Sequence, residues 1–491
     1  MDSNLPKGWI EISFTELLDV QGGTQPPKST FIYVPKKDYI RLLQIRDFGE
    51  KPHPTFIPFR TQLKTCTKED ILIARYGASL GRIVTGMEGA YNVALAKVVI
   101  PEEINKKFVY HLLRSEIFQR PILANERSAQ DGFNKDDLER IQIPLPPLPE
   151  QQRIVEKLDA LMTRINNSKE RLEKIPTLLK NFRQSVLADA VNGELTKEWR
   201  EENDNITEAK TKTNKKERKN ILDDKVDDYE LFELPAKWNW KTISDISDVK
   251  GGKRIPKGHQ LVSYDTGLPY IKAGDLKKGT VIKDKLEFLL PETQKIIKRY
   301  IVSKGDVYIT NVGAKIGDAG VIPDDMDGAN LTENALKMCN LDGVINLYLS
   351  IWLQSPIAQR FIQKTILSAA QGKLALGRVE VFPIPLPPIQ EQNEIVRKVE
   401  ELFHFADSIE ARYQKAKAWF DKLPQAILAK AFRGELVPQD ESDEPASELL
   451  KRIQQEKHTI SKQPKTIALK AKRRKSYKID EDEELRMVAE G

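Results

Sequence analysis

The chain has 491 residues, 31% of them charged, and its 78 basic and 72 acidic side chains leave a formal net charge of +6. That length buries sizeable cores and divides naturally into two or more domains, while so mild a positive charge permits nucleic acid as a partner without demanding it. Two cysteines, Cys66 and Cys339, exclude a disulfide framework, and no run approaches the roughly 18 apolar residues of a membrane span; a cytoplasmic chain without a membrane partner is expected.

The first section, roughly residues 1 to 142, opens with Leu5, Pro6 and Trp9 and continues into DVQGG from Asp19. Glycine lets a backbone approach a phosphate closely, so Gly22, Gly23 and Thr24, with Lys28 nearby, form a candidate DNA-binding loop. EDILIARYG from Glu69 reads as a short strand closed by glycine, and the segment DILIARYGASLG offers Arg75, Tyr76, Ser79 and Arg82 as further DNA-binding candidates. KFVYHLLRSEIFQRPIL then reads as helical. Strands mixed with helices give a mixed α/β (α+β) globule.

A Pro-rich signal, IPLPPLPEQQ from Ile143, leads into a long helix. Ile154, Leu158, Leu161, Ile165, Leu172, Ile175, Leu179, Phe182 and Val186 follow 4-3 spacing, with only Ser168 interrupting, which is the seam of a coiled coil. Glu150 sits where the helix dipole favours a carboxylate, and Gly193 offers a left-handed stop. The helix should run roughly 40 residues, about 60 Å. Residues 197–230 carry 20 charged side chains in 34, too polar to bury, and read as a flexible linker.

Everything then recurs. Leu234, Pro235 and Trp238 repeat the opening, DVKGG from Asp248 repeats the Gly-Gly segment, and DVYITNVGAKIG from Asp306 repeats the glycine-bounded strand. VINLYLSIWLQSPIAQRFI repeats the helical patch, and IPLPPIQEQN from Ile384 repeats the Pro-rich signal, with Glu391 in the place of Glu150. The second seam is Ile395, Val399, Leu402, Ala406, Ile409, Tyr413, Ala416, Phe420, Leu423 and Ile427, ending near Gly434. Pro176 and Pro424 follow seam residues and are expected to kink their helices. The spacing between matching residues grows from 229 at Trp9 and Trp238 to 241 at Ile143 and Ile384, then stays fixed. Heads therefore vary while the helices keep their length. DNA-binding candidates in the second head are Lys250, Gly251, Gly252, Lys253, Arg254, Lys257, Asn311 and Lys315. Since Arg75, Tyr76 and Ser79 become Asn311, Val312 and Lys315 on a kept scaffold, the two heads suit different base sequences, Arg, Asn and Lys being the side chains that bond base edges.

The expected boundaries are globules at 1–148 and 233–389, helices at 149–196 and 390–437, a linker at 197–232 and a flexible charged tail at 438–491. The basic block KAKRRKSYK at 470–478 reads as part of that solvated tail. Catalytic machinery is missing: there is no GxxxxGK[ST] loop, Glu-x-Lys occurs only at Glu208 and Glu217 in the linker, and the five histidines lack ligand spacing. No catalytic or metal-binding residue is assigned.

The order of globule, Pro-Leu-Pro-Pro, Glu-Gln-Gln/Asn, long helix and Asn/Arg-Gly-Glu-Leu, repeated once, resembles the specificity subunit of Type I restriction-modification enzymes; KIPTLLKNFRQSVLADAVNGELT from Lys174 is similar to the Type IA subgroup. The resemblance implies a non-catalytic subunit in which each globule reads one half of a bipartite site in double-stranded DNA. It further implies that the helices form an antiparallel coiled coil setting the spacing. It implies two methyltransferase subunits and restriction subunits as partners, with S-adenosylmethionine, ATP and Mg2+ used in those partners and no cofactor on this chain. A related bipartite system with methylation and cleavage fused in the partner, and a coiled-coil scaffold that binds no DNA, remain alternatives.

Overall fold

A computed structural model describes residues 5–124, 132–209, 231–277, 279–367 and 372–462. The chain is mixed α/β and divides into two compact units, Met1–Glu170 with Ala416–Gly491, and Arg171–Lys415. The expected boundaries kept each long helix whole; in the structure each helix is shared. The physical reason lies in how the helices pair.

Within the first unit, Lys169 bonds Asp421 at 2.8 Å while Gln439 reaches Glu150 at 3.2 Å, so the helix Leu148–Glu173 runs antiparallel to the end of Ile389–Phe432. Within the second unit, Arg183 bonds Asp407 at 2.8 Å and Lys398 bonds the Leu195 carbonyl at 3.1 Å, giving the same antiparallel sense to Ile175–Asn192 and the start of Ile389–Phe432. The start of one helix thus lies beside the end of the other in each unit. All ten seam positions of each helix are buried or half-buried, with Ile154, Leu158, Ile165, Ile395 and Val399 buried and Leu161, Leu172, Ile175, Leu402, Ile409 and Phe420 half-buried. Pro176 falls at the break between Leu148–Glu173 and Ile175–Asn192. Pro424 lies inside the 44-residue helix Ile389–Phe432 and does not end it. Proline forfeits one i→i−4 hydrogen bond, and a long packed helix absorbs that loss.

Each globule is built on one plan. Its first strand pairs with the Pro-rich signal: Ile10–Ser13 with Gln142–Leu145, Asn239–Thr242 with Pro383–Leu386, antiparallel, with Glu11 opposite Pro144 and Trp240 opposite Pro385. Proline donates no hydrogen bond, which a two-stranded ribbon tolerates and a central strand would not. A four-stranded sheet follows in the same order twice, with Asp19–Gly22, Leu95–Val99, Leu72–Ala74 and Ile83–Val84 as neighbours in the first globule. The second places Asp248–Gly251, Ala335–Cys339, Val307–Thr310 and Ala319–Val321 alike. The helical patches form Lys106–Arg114 with Glu116–Ala124, and Asn346–Gln354 with Pro356–Leu367.

The cores join globule to helix. In the first unit Phe108, Leu112, Ile143, Leu145, Ile154 and Leu158 pack with Leu428 and Phe432; the Phe108 and Phe432 ring centroids are 5.4 Å apart. In the second, Tyr348, Trp352, Ile384 and Ile395 pack with Val186, Leu187 and Val191. The tail departs from expectation. Residues beyond Pro438 form the helix Ala446–Lys462, whose Ala446, Leu449 and Ile453 are buried in the first core. Their spacing is one face of a helix, hidden in the sequence by the surrounding charges. Part of the charged linker is also helical, Lys197–Glu202, whereas the basic block at 470–478 lies outside the described residues. Cys66 and Cys339 are buried and free, and among the described residues no helix is long and apolar enough to cross a membrane.

Candidate nucleic-acid interface

The candidate loops converge because of strand register. In the first globule Gly22 pairs with Ala96 and Ala74 pairs with Leu95, so the loops following Asp19–Gly22 and Leu72–Ala74 leave one edge of the sheet together. The second repeats this, Gly251 pairing with Leu336 and Thr310 with Ala335. Each globule therefore presents a Gly-Gly loop beside a glycine-bounded loop. A Cβ on Gly22 would lie 3.3 Å from Arg75 Nη1, which shows how near the two candidate segments are.

The loops are held by matching frameworks. Asp70 accepts from the Thr67 amide and pairs with Lys97 at 3.3 Å; Asp306 accepts from the Ser303 amide and pairs with Lys337 at 2.6 Å. Gln119 donates to the carbonyls of Gly81 and Leu113, and Gln359 donates to those of Gly317 and Leu353. The aspartates of the repeated segment thus anchor a turn and are not free to meet DNA.

The Gly-Gly pairs have a different reason from the expected one. A Cβ on Gly23 would stand 2.1 Å from the Asn92 carbonyl oxygen, and one on Gly252 would stand 2.0 Å from that of Thr332. The amides are already used: Gly23 and Thr24 donate to Leu95 and Tyr91, Gly252 and Lys253 to Ala335 and Leu331. These glycines let backbone pack on backbone and offer no amide cradle to a phosphate, which corrects that expectation. Any bonding to DNA falls to the side chains around them.

Those side chains differ between the heads. The Arg75 guanidinium donates to the Phe133 carbonyl at 3.4 Å and lies 5.1 Å from the Tyr76 ring centroid, beside an exposed Tyr76. Ser79 is half-buried in the turn Gly77–Ser79, while Arg82 and Lys28 are exposed. In the second head Asn311, expected at the surface, is only 4% exposed and its Oδ1 is buried without a partner. In this conformation it presents no amide to a base edge, because the Asn334 carbonyl and the Leu374 amide hold its backbone inward. Lys315 is exposed. Arg254 is bonded to Glu333 at 2.5 Å, Lys250 lies 4.0 Å from Asp248, Lys253 stands 5.8 Å from the Tyr300 ring centroid, and Lys257 is exposed.

Sequence reasoning missed the polar junction behind each head. Trp9 Nε1 donates to Glu150 at 2.9 Å, and Trp238 Nε1 to Glu391 at 2.8 Å, all four residues being buried. Glu391 also accepts from Thr196 at 2.7 Å and Arg200 at 2.9 Å. Gln151 and Gln392 tie the helix starts to the carbonyls of Pro146 and Pro387. The helix-dipole reading of the two glutamates was incomplete; the repeated tryptophans were the available signal.

Residues 6–177 and 235–418 match the family model for the Type I restriction modification DNA specificity domain. The chain is 32% identical over 463 residues to the Type I restriction enzyme EcoBI specificity subunit of Escherichia coli, covering 91% of this chain and 92% of that protein. It is 28% identical over 491 residues to the EcoKI specificity subunit of Escherichia coli strain K12, covering 92% and 96%. Among solved structures, the HsdS subunit from Thermoanaerobacter tengcongensis aligns with a TM-score of 0.56 at 19% identity, covering 88% of this chain and 98% of that one. A chain from a structure on complex assembly and conformational transition of the type I R-M system aligns with a TM-score of 0.61 at 19% identity, covering 88% and 99%. The structural likeness concerns the fold.

Proposed function

We infer, from the premise that the chain belongs to the family of Type I restriction-modification specificity subunits, how its parts divide the work. It is a sequence-specific DNA-binding subunit, and each globule reads one half of a bipartite target. The observation that carries this reading is the pair of loop clusters at one sheet edge, with frameworks alike and tips unlike: Arg75, Tyr76 and Ser79 of one head stand where Asn311, Val312 and Lys315 stand in the other, and Thr24 stands where Lys253 does. Two heads of one fold with different donors bond different base edges, so the target is asymmetric.

The antiparallel helices serve as a coiled-coil spacer between the half-sites and as the seat of two methyltransferase subunits, with restriction subunits joining the assembly. The chain itself is non-catalytic. S-adenosylmethionine, ATP and Mg2+ act in those partners. The experiment exchanges residues 1–142 for the equivalent domain of a relative, expresses the complete system in cells and sequences the methylated positions. One half-site changes and the other persists; a change in both halves overturns the modular reading.

A further inference from the structure

The two globules differ where their chains return from the parallel strand pair. In the first, the passage from the strand Phe56–Pro58 to Thr65–Cys66 is a turn. In the second, the equivalent passage from Glu287–Phe288 to the bridge between Ile301 and Asn330 is longer and holds the helix Pro291–Ile297. That helix and the residues after it expose Lys295, Lys298 and Arg299, none of which has an ion-pair or hydrogen-bond partner among the described residues. Glu292 is the one acidic side chain on the helix.

This basic cluster is attached to the candidate loop. His259 Nδ1 lies 2.8 Å from Thr293 Oγ1, and Ile255, Leu261 and Tyr300 all pack against the buried cluster of Tyr270, Leu289 and Ile297. Lys253 stands over the Tyr300 ring, the residue next to Arg299. Several other cations of this head are neutralised: Lys272 pairs with Glu287, Lys283 with Asp325, Arg254 with Glu333 and Lys337 with Asp306. Ile296, 60% exposed, sits among the unpaired cations. A solvated face ordinarily intersperses both signs, whereas unpaired cations around an exposed apolar side chain suit a surface that meets a polyanion.

We propose that Lys295, Lys298 and Arg299 form a phosphate-binding ridge special to the second head, beside the loop that carries Lys253 and Lys257, which clamps the duplex backbone independently of base sequence. The proposal rests on the DNA-specificity reading and deepens it. Bonds to phosphate position a protein without carrying sequence information, so the ridge adds affinity and salt dependence but no selectivity.

The test uses the full chain carrying Lys295→Gln, Lys298→Gln and Arg299→Gln, assembled with its methyltransferase subunits, and measures binding to a duplex containing the mapped target and to one of unrelated sequence across a salt series. Affinity should fall by the same factor on both duplexes, and the slope of log affinity against log salt should become less steep by about 2 to 3, at roughly 0.9 for each phosphate the variant no longer neutralises. The set Lys295→Arg, Lys298→Arg and Arg299→Lys should restore the slope. An unchanged slope overturns the ridge, as does a triple variant that no longer assembles with those subunits, which would assign these cations to a protein partner. Failure of the broader reading shows separately, as an unmodified complex that does not prefer its target duplex.

Discussion

The indole N–H of Trp238 donates to the carboxylate of Glu391 at 2.8 Å across 153 residues of chain, which bonds the opening of the second globule to the first turn of the helix that leaves it. Thr196 and Arg200, just past the end of the other helix, donate to the same carboxylate. One buried side chain thus gathers three separate segments. Glu391→Ala strands three donors at once, and breaking a buried charged network of this kind costs about 3–5 kcal/mol. Glu391→Gln keeps an acceptor for the indole and should cost less. Thermal unfolding of the full chain would rank wild type above Glu391→Gln above Glu391→Ala; equal midpoints for all three contradict the assignment.

The first junction should respond to pH. Burial raises the Glu150 carboxyl above its ordinary value, against the opposing bonds from Trp9 and Gln439. A folded-state carboxyl pKa raised above the unfolded value means that the folded state binds its proton more tightly. The benefit is therefore greatest below the unfolded pKa near 4.5 and is lost as pH rises through that value toward the folded one. Glu150→Gln has no such titration. Its stability relative to wild type should improve as pH climbs through the weakly acidic range, measured by denaturant unfolding at each pH. A difference that is flat with pH would remove Glu150 as the titrating group.

Gly23→Ala distinguishes packing from phosphate binding. Its new methyl would stand 2.1 Å from the Asn92 carbonyl oxygen, a distance that forces the backbone apart. Overpacking costs about 1–3 kcal/mol. The expected result is a lower unfolding midpoint without DNA present. A variant with unaltered stability and weakened DNA binding would return the glycine to a phosphate cradle.

Removing residues 439–491 should loosen the first unit although 24 of the segment's 53 residues are charged. Ala446, Leu449 and Ile453 leave the core, Arg153 loses its 2.6 Å bond to Asp443, and Lys457 no longer reaches the carbonyls of Glu16 and Leu17. Burial of the leucine and isoleucine alone contributes roughly 3–6 kcal/mol. Limited proteolysis should cut the truncated chain faster within residues 5–124; unchanged protection would show the tail helix to be dispensable.

A heptad added after Ile165 without a counterpart after Ala406 displaces one helix against the other by about 10 Å. The contact of Gln439 with Glu150, before the insertion, and that of Lys169 with Asp421, after it, cannot both survive. The single insertion should abolish target methylation in cells, and the matched pair of insertions should restore methylation at a target whose spacer is longer by about 3 base pairs. Normal methylation by the single insertion would show that the helices do not pair.

Much of the architecture was legible because it repeats. Ile154 to Val186 and Ile395 to Ile427 carry their periodicity in the sequence itself, since a helix buries whatever recurs at its own spacing. The heads read as mixed α/β, and the glycine-bounded strands and helical patches stand where they were expected. The tail helix was hidden because three apolar residues give a weak signal among charges, and the cores of the two units were assigned to contiguous segments because sequence order hides antiparallel pairing.

By itself the sequence determined the family, the mixed α/β heads and the places of the helical seams, all of which are local patterns or matches along the chain. Only the tertiary structure decided which of those residues face outward. Asn311 and the Gly-Gly amides turn inward because buried polar groups must be satisfied by neighbours that the chain brings from far away, and no spacing along the sequence records that. Lys295, Lys298 and Arg299 stand out for the converse reason: a cation is marked by the absence of a partner, and partners are chosen by the fold.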